Sequence, residues 1–104
     1  MRTSLLALTF ALIAAPAWAD AIDGAWCREN GYRLSINGPT IITPGGARIQ
    51  GDYSRHAFSY VVPPGEPGAG TTIEMRLLGE YDMQSRPAGT TTPIDWKRCG
   101  PAVS

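Results

Sequence analysis

An all-β fold, a small antiparallel β-barrel or rolled sheet of about 7–8 short strands, is what this 104-residue sequence predicts. Three observations carry that reading. Beyond residue 20 no segment repeats apolar residues at helical spacing for three turns, whereas alternation with period two recurs along the chain. The 12 glycines and 9 prolines gather largely between the alternating runs, where they mark turns. Two cysteines, Cys27 and Cys99, stand near the two ends of the alternating region, so a disulfide between them would tie the N- and C-terminal strands together.

The opening "MRTSLLALTFALIAAPAWAD" has the build of a secretory signal peptide: Arg2, then the apolar stretch Leu5 to Ala15, then small residues at Ala17 and Ala19. The apolar run of 11 residues is short of the roughly 20 that span a bilayer. Residues 1–19 are therefore expected to be removed, leaving no stable membrane anchor. Residues 20–104 then form a single β-barrel-like domain with a periplasmic or secreted address. That domain carries eight basic and nine acidic residues, a net charge of −1. No basic stripe or acidic tail is present, so no nucleic-acid partner is implied.

The strands follow in order. The first lies around Ile22 to Cys27. Tyr32, Leu34 and Ile36 alternate with Arg33, Ser35 and Asn37, and Asn37-Gly38-Pro39 makes a turn. Thr40 to Thr43 is a β-branched run ended by Pro44-Gly45-Gly46. Ala47, Ile49, Gly51 and Tyr53 share one parity; Phe58, Tyr60 and Val62 share another, as do Ile73, Met75 and Leu77. Since Tyr53 and Phe58 both read as core-facing, the inward face must switch between them, and a bulge or bend at Ser54 to Ala57 is expected. "PPGEPGAG" is too rich in proline and glycine for helix or strand, and "SRPAGTTTP" reads as a polar loop before a last strand, Ile94 to Cys99.

The terminal strands show a consistent sidedness. Trp26 precedes Cys27 by one residue and Trp96 precedes Cys99 by three, and odd offsets in a strand point to opposite faces. Ile22 shares the parity of Trp26, and Ile94 that of Trp96. Isoleucines and tryptophans are expected inside, with charges and the disulfide outside, in a sheet that closes or nearly closes. The chain-entropy model gives a bond closing such a loop about 4.4 kcal/mol, a large part of the roughly 5–15 kcal/mol that holds a domain folded.

The residue list weighs against several chemistries. One histidine, His56, and two paired cysteines are too few nitrogen and sulfur ligands for zinc. His56 is also the one histidine that could serve as base for a serine nucleophile, and no G-x-S-x-G is present. No phosphate loop follows Gly45-Gly46 or Gly68-Ala69-Gly70. The carboxylates fall on polar faces or in loops, where solvation is the ordinary state. No cofactor is implied and catalysis is not expected. His56 reads as a rim residue supporting the bend.

Binding remains. The stiff Pro63 to Gly70 loop, with Pro63, Pro64, Glu66 and Pro67, is the candidate partner contact, with Glu66 at its tip and Arg55 and His56 as a possible second part of the surface. The partner would be an envelope protein. The alternative is a small-molecule carrier with a pocket lined by Trp26, Tyr60 and Trp96, although a barrel of 85 residues is more readily filled by its own side chains. An enzyme using His56 is the third and least favoured reading.

Leader plus "IDGAWC", "TPGG", "GDYSRHAFSY" and "DWKRC" resembles a group of short uncharacterised exported proteins of α-proteobacteria. The resemblance implies a periplasmic address and carries no functional residue with it. Gly24-Ala25-Trp26 also resembles the G-x-W opening of lipocalin-like barrels, and the size and cysteine economy are similar to those of periplasmic lysozyme inhibitors.

Overall fold

Chain continuity at one glycine and a single long-range strand pair close the sheet into a ring. The structure, a computed structural model, describes residues 21–100. The predicted signal peptide lies outside those residues. Nine strands form one antiparallel sheet: β1 (Gly24–Cys27), β2 (Arg33–Asn37), β3 (Thr40–Ile42), β4 (Arg48–Gln50), β5 (Asp52–Ser54), β6 (Ala57–Val61), β7 (Thr72–Leu77), β8 (Asp82–Pro87) and β9 (Ile94–Arg98). There is no helix among the described residues. The order across the sheet, β4-β3-β2-β1-β9-β8-β7-β6-β5, is two meanders side by side. Within each meander every strand pairs with the next in sequence, so local hairpins supply almost all of the ladder.

The meanders meet twice. At Gly51 the chain passes from β4, paired with β3, to β5, paired with β6. The Gly51 amide donates to the Pro39 carbonyl at 2.8 Å. A Cβ at this position would lie 2.4 Å from the Ser59 carbonyl oxygen and 2.5 Å from the Phe58 ring, so the crossing needs a residue without a side chain. The second meeting is the β1–β9 pair, with Trp26 opposite Arg98 and Cys27 opposite Lys97. The Cys27–Cys99 disulfide crosses this seam at a Cα separation of 5.1 Å, joining residues 72 positions apart.

Two features differ from the sequence reading. There are nine strands rather than seven or eight, because the 47–53 run is divided at Gly51 and because β8 begins before the predicted polar loop and takes in its first residues. The inward positions of β8 are Met83 and Ser85, both buried. A serine there hides the alternation, and it is tolerated because its hydroxyl accepts a hydrogen bond from the Trp96 indole at 2.9 Å. In addition, of the bulge or bend expected at 54–57 the chain makes the bend, as a tight hairpin. Ser54 pairs with Ala57, which leaves Arg55 and His56 as the turn. Residues facing each other across a two-residue turn have opposite parity, so Tyr53 and Phe58 lie opposite one another without any bulge. Phe58 is buried, whereas Tyr53 on the shorter β5 is 39% exposed.

The core runs through the ring as Ile22, Trp26, Leu34, Ile36, Ile41, Phe58, Tyr60, Val62, Met75, Met83 and Trp96. One end is plugged. Ile22 is fully buried there, its amide donating to the Arg55 carbonyl at 2.8 Å, and its carbonyl accepts from the Trp26 indole at 2.8 Å. Arg98 lies on the same face as Trp26, its guanidinium carbon 4.2 Å from the indole centroid. It donates to the carbonyls of Glu80 (2.7 Å), Asp23 (2.7 Å) and Ala21 (3.1 Å). Gly24, at φ 120°, leaves the room: a Cβ would sit 2.6 Å from the guanidinium. The Asp23 carboxylate accepts from the Gly38 amide at 2.8 Å and from the Tyr53 hydroxyl, binding both meanders to the plug.

Replacing both cysteines by serine is expected to lower unfolding free energy by about 2–5 kcal/mol, measured by urea denaturation of the residue 20–104 protein. G51A should cost about 1–3 kcal/mol through overpacking against the Ser59 backbone; denaturation at the wild-type midpoint would show that the crossing tolerates a side chain.

Candidate functional site

Strand direction sorts the connections into two ends. β6 ascends from the Arg55–His56 turn to the 62–71 loop, so these lie at opposite ends of the ring, about 16 Å apart along five residues. The end away from the plug carries the 28–32, 43–47, 62–71 and 88–93 connections. A cavity of about 380 Å³ opens there, within the range of small-molecule sites. Its floor is apolar, with Leu34, Val62, Met75 and Trp96, and its rim holds Arg28, Tyr32, Gly45, Glu66 and Pro67.

Tyr60 contributes the least ordinary group. Its side chain lines this cavity, and the residue is 7% exposed. Its hydroxyl has no hydrogen-bond partner among the described residues. Burial, and secondarily the negative charge of Glu66, push its pKa from the ordinary 10.0 to about 12. A hydroxyl on a cavity wall takes its hydrogen bonds from whatever occupies the cavity, and native proteins satisfy most such groups. Ser85 adds a second donor: its oxygen accepts from the Trp96 indole, and its own proton has no acceptor among the described residues.

Glu66 is held at the rim by its neighbours. The Thr43 hydroxyl, itself buried, donates to the Glu66 carboxylate at 2.5 Å and accepts from the Ala47 amide at 3.0 Å. Gly45 lets the carboxylate settle, since a Cβ there would lie 2.4 Å from its carbon. The loop behind it is organised by its own backbone: the Ala69 amide donates to the Glu66 carbonyl at 3.1 Å, and the Gly70 amide to the Val62 carbonyl at 2.9 Å. Arg28 stands on the other side of the mouth. Its guanidinium carbon is 5.4 Å from the Tyr32 ring centroid and 5.5 Å from that of Trp96, positions of cation–π attraction. It pairs with no carboxylate among the described residues.

The residues singled out in the sequence are distributed as follows. Tyr60 and Trp96 line the cavity, whereas Trp26 does not: it is fully buried beneath Arg98 at the plugged end. Glu66 is turned inward instead of standing at a loop tip: its carboxylate accepts from the Thr43 hydroxyl and fills the space that Gly45 leaves open. Pro67 is on the rim, and Pro63 and Pro64 lie on the outer side of the same loop. Arg55 and His56 are exposed on the turn at the plugged end, so they share no surface with the loop. The His56 carbonyl accepts from the Leu77 amide at 2.9 Å, and no side-chain hydrogen bond orients its imidazole among the described residues. Cys27 and Cys99 form the expected bond. No group of three or more His, Cys, Asp or Glu among the described residues is placed to hold a metal ion. Arg28, Thr43 and Gly45 escaped the sequence reading. The one available signal was that all three sit in or beside the turns that face the 63–70 loop.

The raised Tyr60 pKa fixes the direction of an alkaline effect. The fold favours the neutral hydroxyl, so this contribution to stability is whole below pH 10 and is lost as pH climbs from 10 to about 12. Ultraviolet titration of the tyrosines should show a late step in this window that Y60F removes; a Y60F titration superimposable on wild type would contradict the burial. In comparison with known proteins, the chain matches no family model, no curated protein and no solved structure.

Proposed function

We propose that this is an exported, non-enzymatic binding protein that takes a small molecule into the cavity at the open end of its barrel, with the 63–70 loop as part of the site. The observation that carries this reading is Tyr60: a largely buried side chain on the wall of a cavity with an aromatic and aliphatic lining, whose hydroxyl has no partner among the described residues. A ligand acceptor would satisfy it. The apolar floor offers burial, and Trp96, oriented by Ser85, offers a flat wall for stacking.

An envelope protein is the other partner considered for such a chain. The inward turn of Glu66 favours the small molecule, since it removes the loop's one charge from the outer surface and aims it at the cavity. The non-enzymatic part rests on His56, which stands at the far end with no nucleophile or carboxylate engaging its ring among the described residues. Export is supported by the disulfide, which persists in oxidising compartments, and by the leader-like residues 1–19.

Titration with N-phenyl-1-naphthylamine, followed by its fluorescence, tests the site. Ile94 also lines the cavity, so micromolar binding that I94W abolishes by filling it, and that H56A leaves unchanged, is expected. Binding equal in I94W and wild type, or lost in H56A, would overturn the placement. Y60F separates function from stability. It should unfold at equal or higher urea, by up to about 1 kcal/mol, because the hydroxyl gives up no partner among the described residues. A Y60F protein destabilised by several kcal/mol would mean the hydroxyl is structural.

A further inference from the structure

We infer that the ligand is a small zwitterion, an ammonium group and an anionic group joined by an apolar body of amino-acid or dipeptide size. The inference rests on the cavity reading above and adds to it the ligand's charge pattern. Its basis is the placement of the two rim charges. Arg28 follows β1 and lies against Trp96 of β9. Glu66 lies against Thr43 and Gly45 of the β3–β4 connection. Around the ring, β1 is two strands from β3 and three from β4, and β9 is two strands from β7 and three from β6, so the two charges stand on opposite sides of the mouth. Neither forms an ion pair among the described residues, with the other or with anything else.

The site is thus neutral overall but strongly polarised, and an unpaired rim charge gains from an opposite charge on the ligand. One Glu66 oxygen accepts from the Thr43 hydroxyl, and the other, with no partner among the described residues, can accept from an ammonium. The Tyr60 hydroxyl is within the influence of the same carboxylate. Being neutral up to high pH, it can accept one ammonium proton or donate to a carbonyl. Arg28 presents its fork from between two rings, a geometry suited to a carboxylate. The aliphatic portion would lie on Leu34, Val62 and Met75. A purely cationic or purely anionic ligand leaves one rim charge unanswered, and a hydrocarbon leaves both.

The test uses alanyl-leucine, its N-acetyl form, its amide and the doubly blocked N-acetyl amide, titrated calorimetrically into the residue 20–104 protein. The free dipeptide is expected to bind at least tenfold more tightly than either singly blocked form. E66Q, which keeps the Thr43 contact, should erase the penalty for acetylation and leave that for amidation. R28Q should do the reverse. Equal affinity for the free and doubly blocked dipeptides would overturn the zwitterion while the cavity stands. So would dipeptides that fail to bind up to millimolar concentration when N-phenyl-1-naphthylamine still binds. Failure of both the dipeptides and the naphthylamine would overturn the cavity reading itself.

Discussion

The β1–β9 seam is the constraint on which the ring depends. Every other strand pair joins neighbours in sequence, so each meander can assemble from local hairpins. The seam alone brings together residues some 72 positions apart, and its ladder is short, with two register pairs. Loop-closure entropy falls most heavily on such a contact. The fold answers with two cross-links of different kinds, one on each face. Outside lies the disulfide; inside lies Arg98, which stacks on Trp26 and hydrogen-bonds three carbonyls. A guanidinium suits the inner position because its planar donors satisfy several carbonyls at once while its face rests on an indole. Burial lowers its pKa, yet it remains charged over the ordinary range.

What the seam holds on one side, the cavity exploits on the other. Trp26 and Trp96 share the inner face of the seam but have opposite fates. Trp26 is packed away under Arg98, and Trp96 walls the cavity beside Arg28. Two arginines therefore cover two tryptophans, one sealing an end and one guarding an opening. The difference comes from partners: Arg98 has backbone acceptors waiting for it, while Arg28 has aromatic faces and no carboxylate among the described residues. The same contrast separates Asp23, whose carboxylate is taken up by Gly38 and Tyr53, from Glu66, which keeps one oxygen for the cavity.

The all-β class, the disulfide and the inward tryptophans were legible because they follow from parity, a local property of the chain. Where legibility failed, an unusual residue took an inward position with a specific partner. Ser85 hid β8, since its burial depends on the Trp96 indole, 11 residues away. Arg98 carries a charge at an inward position, and its three carbonyl acceptors come from 18 to 77 residues off. Gly51 sits in an unbroken alternation; only the approach of Ser59 and Phe58 shows why the strand divides there. Half of the candidate site could be read, as Tyr60, Trp96 and the 63–70 loop. The rest could not, because Thr43, Gly45 and Arg28 matter through a fit between turns that are distant in sequence.

The plug has a topological corollary. Ala21 and Cys99 are both drawn to the blind end, the first under Arg98 and the second through its amide to Ala25 at 3.0 Å. The two ends of the described region, Ala21 and Gly100, thus both stand at the base of the cup, away from its opening. The mouth is therefore framed by hairpin connections alone, and neither end of the described region lies across it.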